Sequence, residues 1–456
     1  MMRDETFFHS LTVKENICQG CTHCMKVCPT EAIRITGGKA RINYERCVDC
    51  GQCMDVCPHS AIIIEQNDLN QIYSYQYRVA LIPSVLIGQF EDEISEQQII
   101  GALGEVGFTH IYYSEFGVDI LRTLGANISV YADQNPVVSS YCPASVRLIQ
   151  IRYPNLLPNV NLVRTPAQIT ALYVRSYLES LGANSKEVGI FYITPCAAKY
   201  AQIKTPGSAT SGLIQGGLNL DYIFNLIKKQ LSSTGKKERL SKLKIEIPPV
   251  TKGAFLWSLT KGESSLMQGR TLSVDELHNV IEFLELLEDE RSKNFDFLEL
   301  RACATGCSGG ILTPRNRFLA TERMKHHAAK LPNDLPQNLK DEIMKTGQHL
   351  IRNIKYNRVK PINSLQLDVN TSEAIKKMEK ASRIEDVLPG IDCGLCGSPT
   401  CKALAEDIVR GLASIRRCLV LKVKDPGGLN HLARIWGEAV GKELNDAPVV
   451  TPKEEV

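Results

Sequence analysis

The placement of the sixteen cysteines in this 456-residue chain limits what it can fold into more than any other feature. Eight form two matching runs, Cys18-x2-Cys21-x2-Cys24-x3-Cys28-Pro29 and Cys47-x2-Cys50-x2-Cys53-x3-Cys57-Pro58. Each run leads into a similar apolar segment, EAIRI and SAIII. Residues 11–70 carry too few large apolar side chains to build an ordinary core, so something else must hold them together, and metal is the obvious candidate. Thiolates spaced two apart on a tight loop close on one iron–sulfur cube, while the fourth, followed by Pro, reaches the other cluster. Structural zinc is the alternative, although zinc sites rarely show this doubled run with proline.

Composition excludes several partners. Lys plus Arg number 53 and Asp plus Glu 50, a net charge of +3. No general basic field favours nucleic acid or an anionic membrane surface. The start, MMRDETFFHSLTVKE, has no basic region followed by an apolar core, so it is not a secretory signal, and residues 1–10 read as a short flexible start. The longest apolar run, Val79 to Gly88, contains Pro83 and is about half the roughly twenty residues that a spanning helix needs. The expected location is the cytoplasm, with no membrane insertion. Disulfides are rare there, and clustered cysteines are metal ligands or catalytic groups.

From about residue 78 the texture changes. RVALIPSVLIG and VGIFYIT read as buried strands. SEQQIIGALGEVGF, TPAQITALYVRSYLESLG and NLDYIFNLIKKQL carry apolar residues at helical spacing. SVDELHNVIEFLELLEDE adds a helix with a capping-type start, Ser273-x-x-Glu276. Strands alternating with helices predict an α/β domain with parallel sheet. The basic stretch 236–244 reads as a solvated surface segment. The expected domains are 1–77, 78–353, a polar connector over 354–386, a small cysteine domain over 387–446, and a disordered tail over 447–456.

The two N-terminal runs resemble the bacterial two-cluster ferredoxin almost residue for residue. The resemblance implies that Cys18, Cys21, Cys24 and Cys57 hold one 4Fe-4S cluster, and that Cys47, Cys50, Cys53 and Cys28 hold the second. Near the other end, CGLCGSPTCKALAEDI supplies Cys393, Cys396 and Cys401, with Cys418 beyond a helical stretch. It resembles the small 4Fe-4S domain of some corrinoid iron–sulfur and hydrogenase-like proteins; zinc is the alternative ligand-set reading.

Four cysteines remain, and singly each reads as a small buried hydrophobe. Their settings are Ser140-Tyr141-Cys142-Pro143, Thr194-Pro195-Cys196-Ala197-Ala198-Lys199 and Ala302-Cys303-Ala304-Thr305-Gly306-Cys307-Ser308-Gly309-Gly310. In order, these resemble the three signatures of the catalytic domain of iron-only (FeFe) hydrogenases. The fold implied is a two-lobed α/β catalytic domain, preceded by an α+β two-cluster ferredoxin domain and followed by a small, mainly helical 4Fe-4S domain. The resemblance implies that Cys142, Cys196, Cys303 and Cys307 hold a cubane, and that Cys307 also bridges to a di-iron unit with CO and cyanide ligands. Lys199 would donate a charge-assisted hydrogen bond to a cyanide.

The chain departs from that pattern at the proton path. Tyr141 stands where the family has a relay thiol, replacing a group near pKa ~8.5 with a phenol near ~10. Gln202 stands where a relay glutamate follows the lysine, and an amide cannot carry a proton by ionising. Arg301 takes the place of a methionine that packs near the di-iron unit, and Ala304-Thr305 replaces Pro-Gly. With ligands kept and the relay lost, the chain resembles the sensory branch of the family. The implied activity is a slow or sensory hydrogenase, H2 ⇌ 2H+ + 2e−, passing electrons through the 4Fe-4S clusters. The alternative is a non-enzymatic electron-transfer or scaffold subunit lacking the di-iron unit. Implied partners are a redox protein (a ferredoxin or another hydrogenase subunit) or a separate signalling output protein, because the chain stops at Val456 without the PAS domain of many sensory relatives.

Overall fold

The computed structural model describes residues 7–125, 132–205, 212–232, 236–241, 243, 245, 247–289, 294–356, 358–363 and 365–423. The chain divides into two compact units, Met1–Lys14 with Tyr44–Ser364, and Glu15–Asn43 with Leu365–Val456. The expected tail 447–456, and the end of the small cysteine domain beyond residue 423, lie outside the described residues.

Two parallel sheets of the larger unit contain the strands β1 (Tyr77–Ile82), β2 (His110–Tyr113), β3 (Val137–Val138), β4 (Val188–Thr194), β5 (Gly216–Asn219), β6 (Thr271–Val274) and β7 (Phe297–Leu300). The first sheet runs in the order β2-β1-β4-β5 and is parallel throughout. Parallel strands are buried on both faces, which is why β4 reads VGIFYIT with every residue buried rather than alternating. Helices Glu96–Val106, Pro166–Ser180 and Leu220–Leu231 cover it, and the first two start at capping boxes, Ser95 with Gln98 and Thr165 with Gln168. The second sheet is smaller, in the order β6-β7-β3, also parallel. Each sheet has its own hydrophobic core. These are the two lobes expected of the α/β domain.

Local expectations were wrong at three places. In RVALIPSVLIG the strand stops at Ile82, because Pro83 cannot donate to a ladder, and Val85–Gly88 forms a short helix. Ser273 lies inside strand β6, and the following helix starts at Leu277 with no side-chain cap; pairing with β7 overrides the capping pattern. Residues 8–10 are tied down rather than free. Ser10 is fully buried, receives no solvent, and bonds Asp49 Oδ1 through its amide (2.9 Å) and Ala197 O through its hydroxyl (3.0 Å). Its neighbours Leu11–Val13 pair antiparallel with Ile62–Ile64.

In the smaller unit, Ile33–Thr36 pairs antiparallel with Lys39–Ile42. Two helices follow in sequence, Thr371–Val387 and Cys401–Val409. The first occupies much of the stretch expected to be a connector. Asn370 caps it by accepting from the Ser372 and Glu373 amides. Ile35 N donates to Gly397 O (2.8 Å), and Arg34 reaches Asp407 with Nε at 2.5 Å and Nη2 at 3.3 Å. The segment around the first cysteine run therefore packs with the C-terminal cysteine segment, although more than 300 residues of sequence lie between them.

Candidate cluster sites

The two N-terminal runs repeat in backbone as well as in sequence. Cys28 Sγ accepts from Ala32 N (3.2 Å), and Cys57 Sγ accepts from Ala61 N (3.3 Å) at the matching place. Glu31 and Ser60 both sit at positive φ, 51° and 50°. Cys18 Sγ accepts from Ala40 N (3.3 Å) and Cys47 Sγ from Asp49 N (3.4 Å). Amides aimed at sulfur suit thiolate ligands, since such bonds set a cluster's potential. Beside Cys47, Asp49 accepts from Ser10 and pairs with His9 Nδ1 (2.7 Å), while Arg147 Nε donates to Cys47 O (2.8 Å).

In the smaller unit, Cys401 opens its helix, its amide donating to Asp392 Oδ1 (2.6 Å). Cys418 is buried and Cys396 and Cys401 pack beside it. Burial holds the Cys396 thiol above its usual pKa, and nearby Cys393 and Cys418 add to this. Those four cysteines are thus neighbours.

In the larger unit, Cys142, Cys196, Cys303 and Cys307 line one cavity, together with Tyr141, Lys199, Arg301 and Cys50. The lobes share its construction: Cys307 packs on the core of the first, and Cys142, Cys196 and Cys303 pack on that of the second. Cys142 and Cys196 are the N-cap residues of helices Pro143–Arg152 and Ala197–Lys204, whose amide ends favour an anionic group. Cys303 and Cys307 follow β7 on a tight loop. Gly306 there has φ +71°, and a Cβ would stand 2.5 Å from Ser258 O, so no side chain fits. Cys307 N donates to the same carbonyl at 2.8 Å.

The thiols press on one another. Burial and then Cys142 push the Cys196 thiol up to about 12, and Cys303 is held well above its usual value by burial, Cys196, Cys142, Cys307 and Cys50. Four crowded thiols disfavour becoming thiolates by themselves; a cationic metal cluster reverses that by deprotonating them outright. The donor set, its sheltered cavity and its two cations fit a cubane with a further anionic group on Cys307.

Tyr141 takes its place among these cations. Its hydroxyl lies 3.8 Å from Cys307 Sγ, and Lys199 Nζ lies 3.6 Å from the same sulfur. Lys199 Nζ and Arg301 Cζ are each 4.2 Å from the Tyr141 ring centroid. Burial, then Cys307, hold the Tyr141 phenol well above its usual pKa. Burial works against the Lys199 ammonium, yet Cys307, Tyr141 and Tyr192 outweigh it, so the lysine stays charged. Gln202, one turn after Lys199, lines a second small cavity with Tyr141, Lys199, Tyr192 and Ser114. Tyr141 and Gln202, the two positions singled out from the broken relay, are therefore brought together beside Lys199.

Sequence reading missed the carboxylates behind the site. Arg301 Nε donates to Glu299 Oε1 (3.0 Å) and Nη2 to Glu263 Oε2 (3.1 Å). Burial pushes Glu263 up to about 7 against the pull of Arg301, and Ser139 Oγ donates to it at 2.6 Å. Glu115 is likewise buried, accepting from Ser84 and Ser114; burial raises its pKa while the charge of Lys199 lowers it. The alternation Glu299-Leu300-Arg301 places two charges on one strand face and could have signalled the first pair. Nothing in sequence signals Glu263.

Three segments of the chain match known families. Residues 76–230 match the family described as iron only hydrogenase large subunit, C-terminal domain; residues 10–58 match a 4Fe-4S dicluster domain; residues 388–420 match a putative Fe-S cluster domain. Iron hydrogenase 1 of Clostridium pasteurianum is 31% identical over 121 residues, 25% of this chain and 21% of that protein. The NADP-reducing hydrogenase subunit HndD of Solidesulfovibrio fructosivorans is 23% identical, over 44% of this chain and 33% of its own length. A cytosolic Fe-S cluster assembly factor of Candida dubliniensis is 22% identical, over 32% and 23%. The chain thus spans about a fifth to a third of the length of these relatives. A solved FeFe-hydrogenase structure aligns with TM-score 0.49 and 16% identity, covering 65% of this chain and 98% of that one. Among the described residues no helix is long and apolar enough to cross a membrane. The chain is an FeFe-hydrogenase-like iron–sulfur protein, carrying 4Fe-4S cluster domains and distantly related both to hydrogenases and to an iron–sulfur assembly factor.

Proposed function

We propose that the chain is a slow or sensory hydrogenase, with H2 ⇌ 2H+ + 2e− at a di-iron unit bridged through Cys307 and electrons leaving through its 4Fe-4S clusters. The observation that carries this is the environment of Cys307, whose sulfur is met by Lys199 Nζ at 3.6 Å and the Tyr141 hydroxyl at 3.8 Å inside a four-cysteine cavity. Lys199 would hold a cyanide, and Cys142, Cys196, Cys303 and Cys307 the cubane. When bound, the di-iron unit supplies the hydrogen-splitting chemistry. The chain's own groups decide how protons reach it, and here they are poorly matched. Tyr141 stays protonated because it is buried, so it donates a hydrogen bond without exchanging a proton near neutral pH. Gln202 has no proton to give by ionising. Slow turnover follows from those two side chains.

Cys50 in the cavity wall supports a direct exit for electrons, through the cluster that the second cysteine run would hold. The ferredoxin repeat would then pass them to a redox partner, a ferredoxin or another hydrogenase subunit, or to a separate signalling protein. The same loss of the relay also suits an electron-transfer or scaffold subunit that keeps four cubanes alone. Infrared spectroscopy of the anaerobically matured protein separates the two. CO and cyanide bands with about eighteen irons are expected; about sixteen irons with no such bands would leave the electron-transfer reading standing.

A further inference from the structure

Arg301 is 2% exposed and lines the cavity of Cys142, Cys196, Cys303 and Cys307. Three of its donors are used, by Glu299, by Glu263 and by the carbonyl of Trp257 (3.1 Å from Nη2). Nη1 is buried and meets no hydrogen-bond partner. A buried guanidinium N–H left without an acceptor carries a desolvation cost, and this one belongs to a side chain that lines the four-cysteine cavity. Its position is fixed by the two carboxylates and by the Tyr141 ring, over which it sits.

We infer that Arg301 is a second cationic anchor for the group carried on Cys307, its open Nη1 N–H donating to a terminal anionic diatomic ligand of the cyanide class on the di-iron unit. This rests on the reading that Cys307 bridges to such a unit. A guanidinium offers a directional, charge-assisted bond that the apolar side chain usual at this place does not. Two cations at one anion hold it more tightly and draw electron density from the iron, which raises the CO and cyanide stretching frequencies. Glu263 acts in the opposite sense, because it offsets the arginine's charge. Removing Arg301 and removing Glu263 must therefore move the bands in opposite directions, which a merely structural role would not do.

The test uses the full chain, carrying its cubanes and loaded with a synthetic di-iron complex, studied by infrared spectroscopy and iron analysis at pH 8. Arg301→Met combined with Glu263→Gln should move the bands to lower wavenumber and weaken retention of the two extra irons about tenfold, or ~1.4 kcal/mol. Glu263→Gln alone should move the bands to higher wavenumber with retention kept. Unshifted bands and unchanged retention in the double variant overturn the role of Arg301 while leaving the bridging role of Cys307 intact. If the double variant loses its cubanes, Glu263→Gln decides alone, an upward shift supporting the inference and no shift overturning it. A wild-type chain with full cubanes and no CO or cyanide bands overturns both readings together.

Discussion

Replacing Tyr141 by Phe removes one hydroxyl and leaves the ring that lies beside Lys199 and Arg301. That hydroxyl is 3.8 Å from Cys307 Sγ, and a thiolate sulfur there can only accept. A hydrogen bond to a charged group contributes ~1.5–3 kcal/mol, but both redox states of a thiolate-bound cubane are anionic, so only part differs between them. Taking about 0.5–1 kcal/mol as the difference, and 59 mV for each tenfold change in a one-electron equilibrium, the potential should fall by roughly 20–40 mV. The direction follows because the bond favours the more negative, reduced cluster. The assay is a potentiometric titration followed by electron paramagnetic resonance, on protein carrying cubanes without the di-iron unit. The other three clusters serve as internal references. Lys199→Met should shift the same cluster in the same direction and further, because a full charge lies closer, at 3.6 Å. An unchanged potential in Tyr141→Phe, with all four clusters present, would refute the argument that the phenol acts on Cys307.

Three further outcomes are expected. Tyr141→Cys in the matured protein should raise hydrogen evolution, with Gln202→Glu adding to it, since a relay matched to working pH contributes ~10²–10⁴-fold; full infrared bands with turnover unchanged in the double variant would sink the relay argument. Gly397→Ala should destabilise the smaller unit by at least about 2 kcal/mol, because Gly397 has φ +84° and a Cβ would stand 2.0 Å from Ile35 O; thermal melting of the holoprotein and loss of one cubane's iron would report it. Glu263 is pushed from 4.5 up to about 7 in the folded protein, so its carboxyl binds its proton more tightly folded than unfolded. Its contribution is then complete below pH 4.5 and lost as pH rises to 7, and Glu263→Gln should flatten that slope in denaturant midpoints, while an unaltered slope would count against it.

The fold was legible where burial leaves a simple pattern and obscure where a partner segment decides. VGIFYIT reads as a strand because both faces of a parallel sheet are covered, and it is one. TPAQITALYVRSYLES carries its own start signal in Thr165, Pro166 and Gln168, and the helix begins there. Ser273 and Glu276 imitate such a signal, but the registry of Leu272 with Leu298 and Val274 with Leu300 claims the segment for a sheet. The grouping of Glu15–Asn43 with the C-terminal cysteine segment could not be read at all. It depends on single long-range contacts, such as Arg34 with Asp407, that leave no periodic trace.

The site divides along the same physical line. Cysteine spacing is local chemistry, and it singled out the N-terminal runs; Cys142, Cys196, Cys303 and Cys307 are widely separated and were legible only through the resemblance of their surroundings to the hydrogenase signatures. A substitution's meaning is not local. Arg301 looked like a lost methionine, a packing change, until the structure placed Glu263 and Glu299 against it. A lone buried guanidinium would be costly beside cationic Lys199; with two carboxylates behind it, the charge is tolerable and its remaining N–H is left facing no protein acceptor. Glu263 comes from a loop 38 positions before Arg301, so neither residue announces the other in sequence. The pair explains why the departures from the hydrogenase pattern are more than losses. Tyr141 and Gln202 remove proton carriers, whereas Arg301 brings a cationic group, partly offset by Glu263, to the cavity that holds Cys307, and such a group acts on potential and on anion binding rather than on proton delivery.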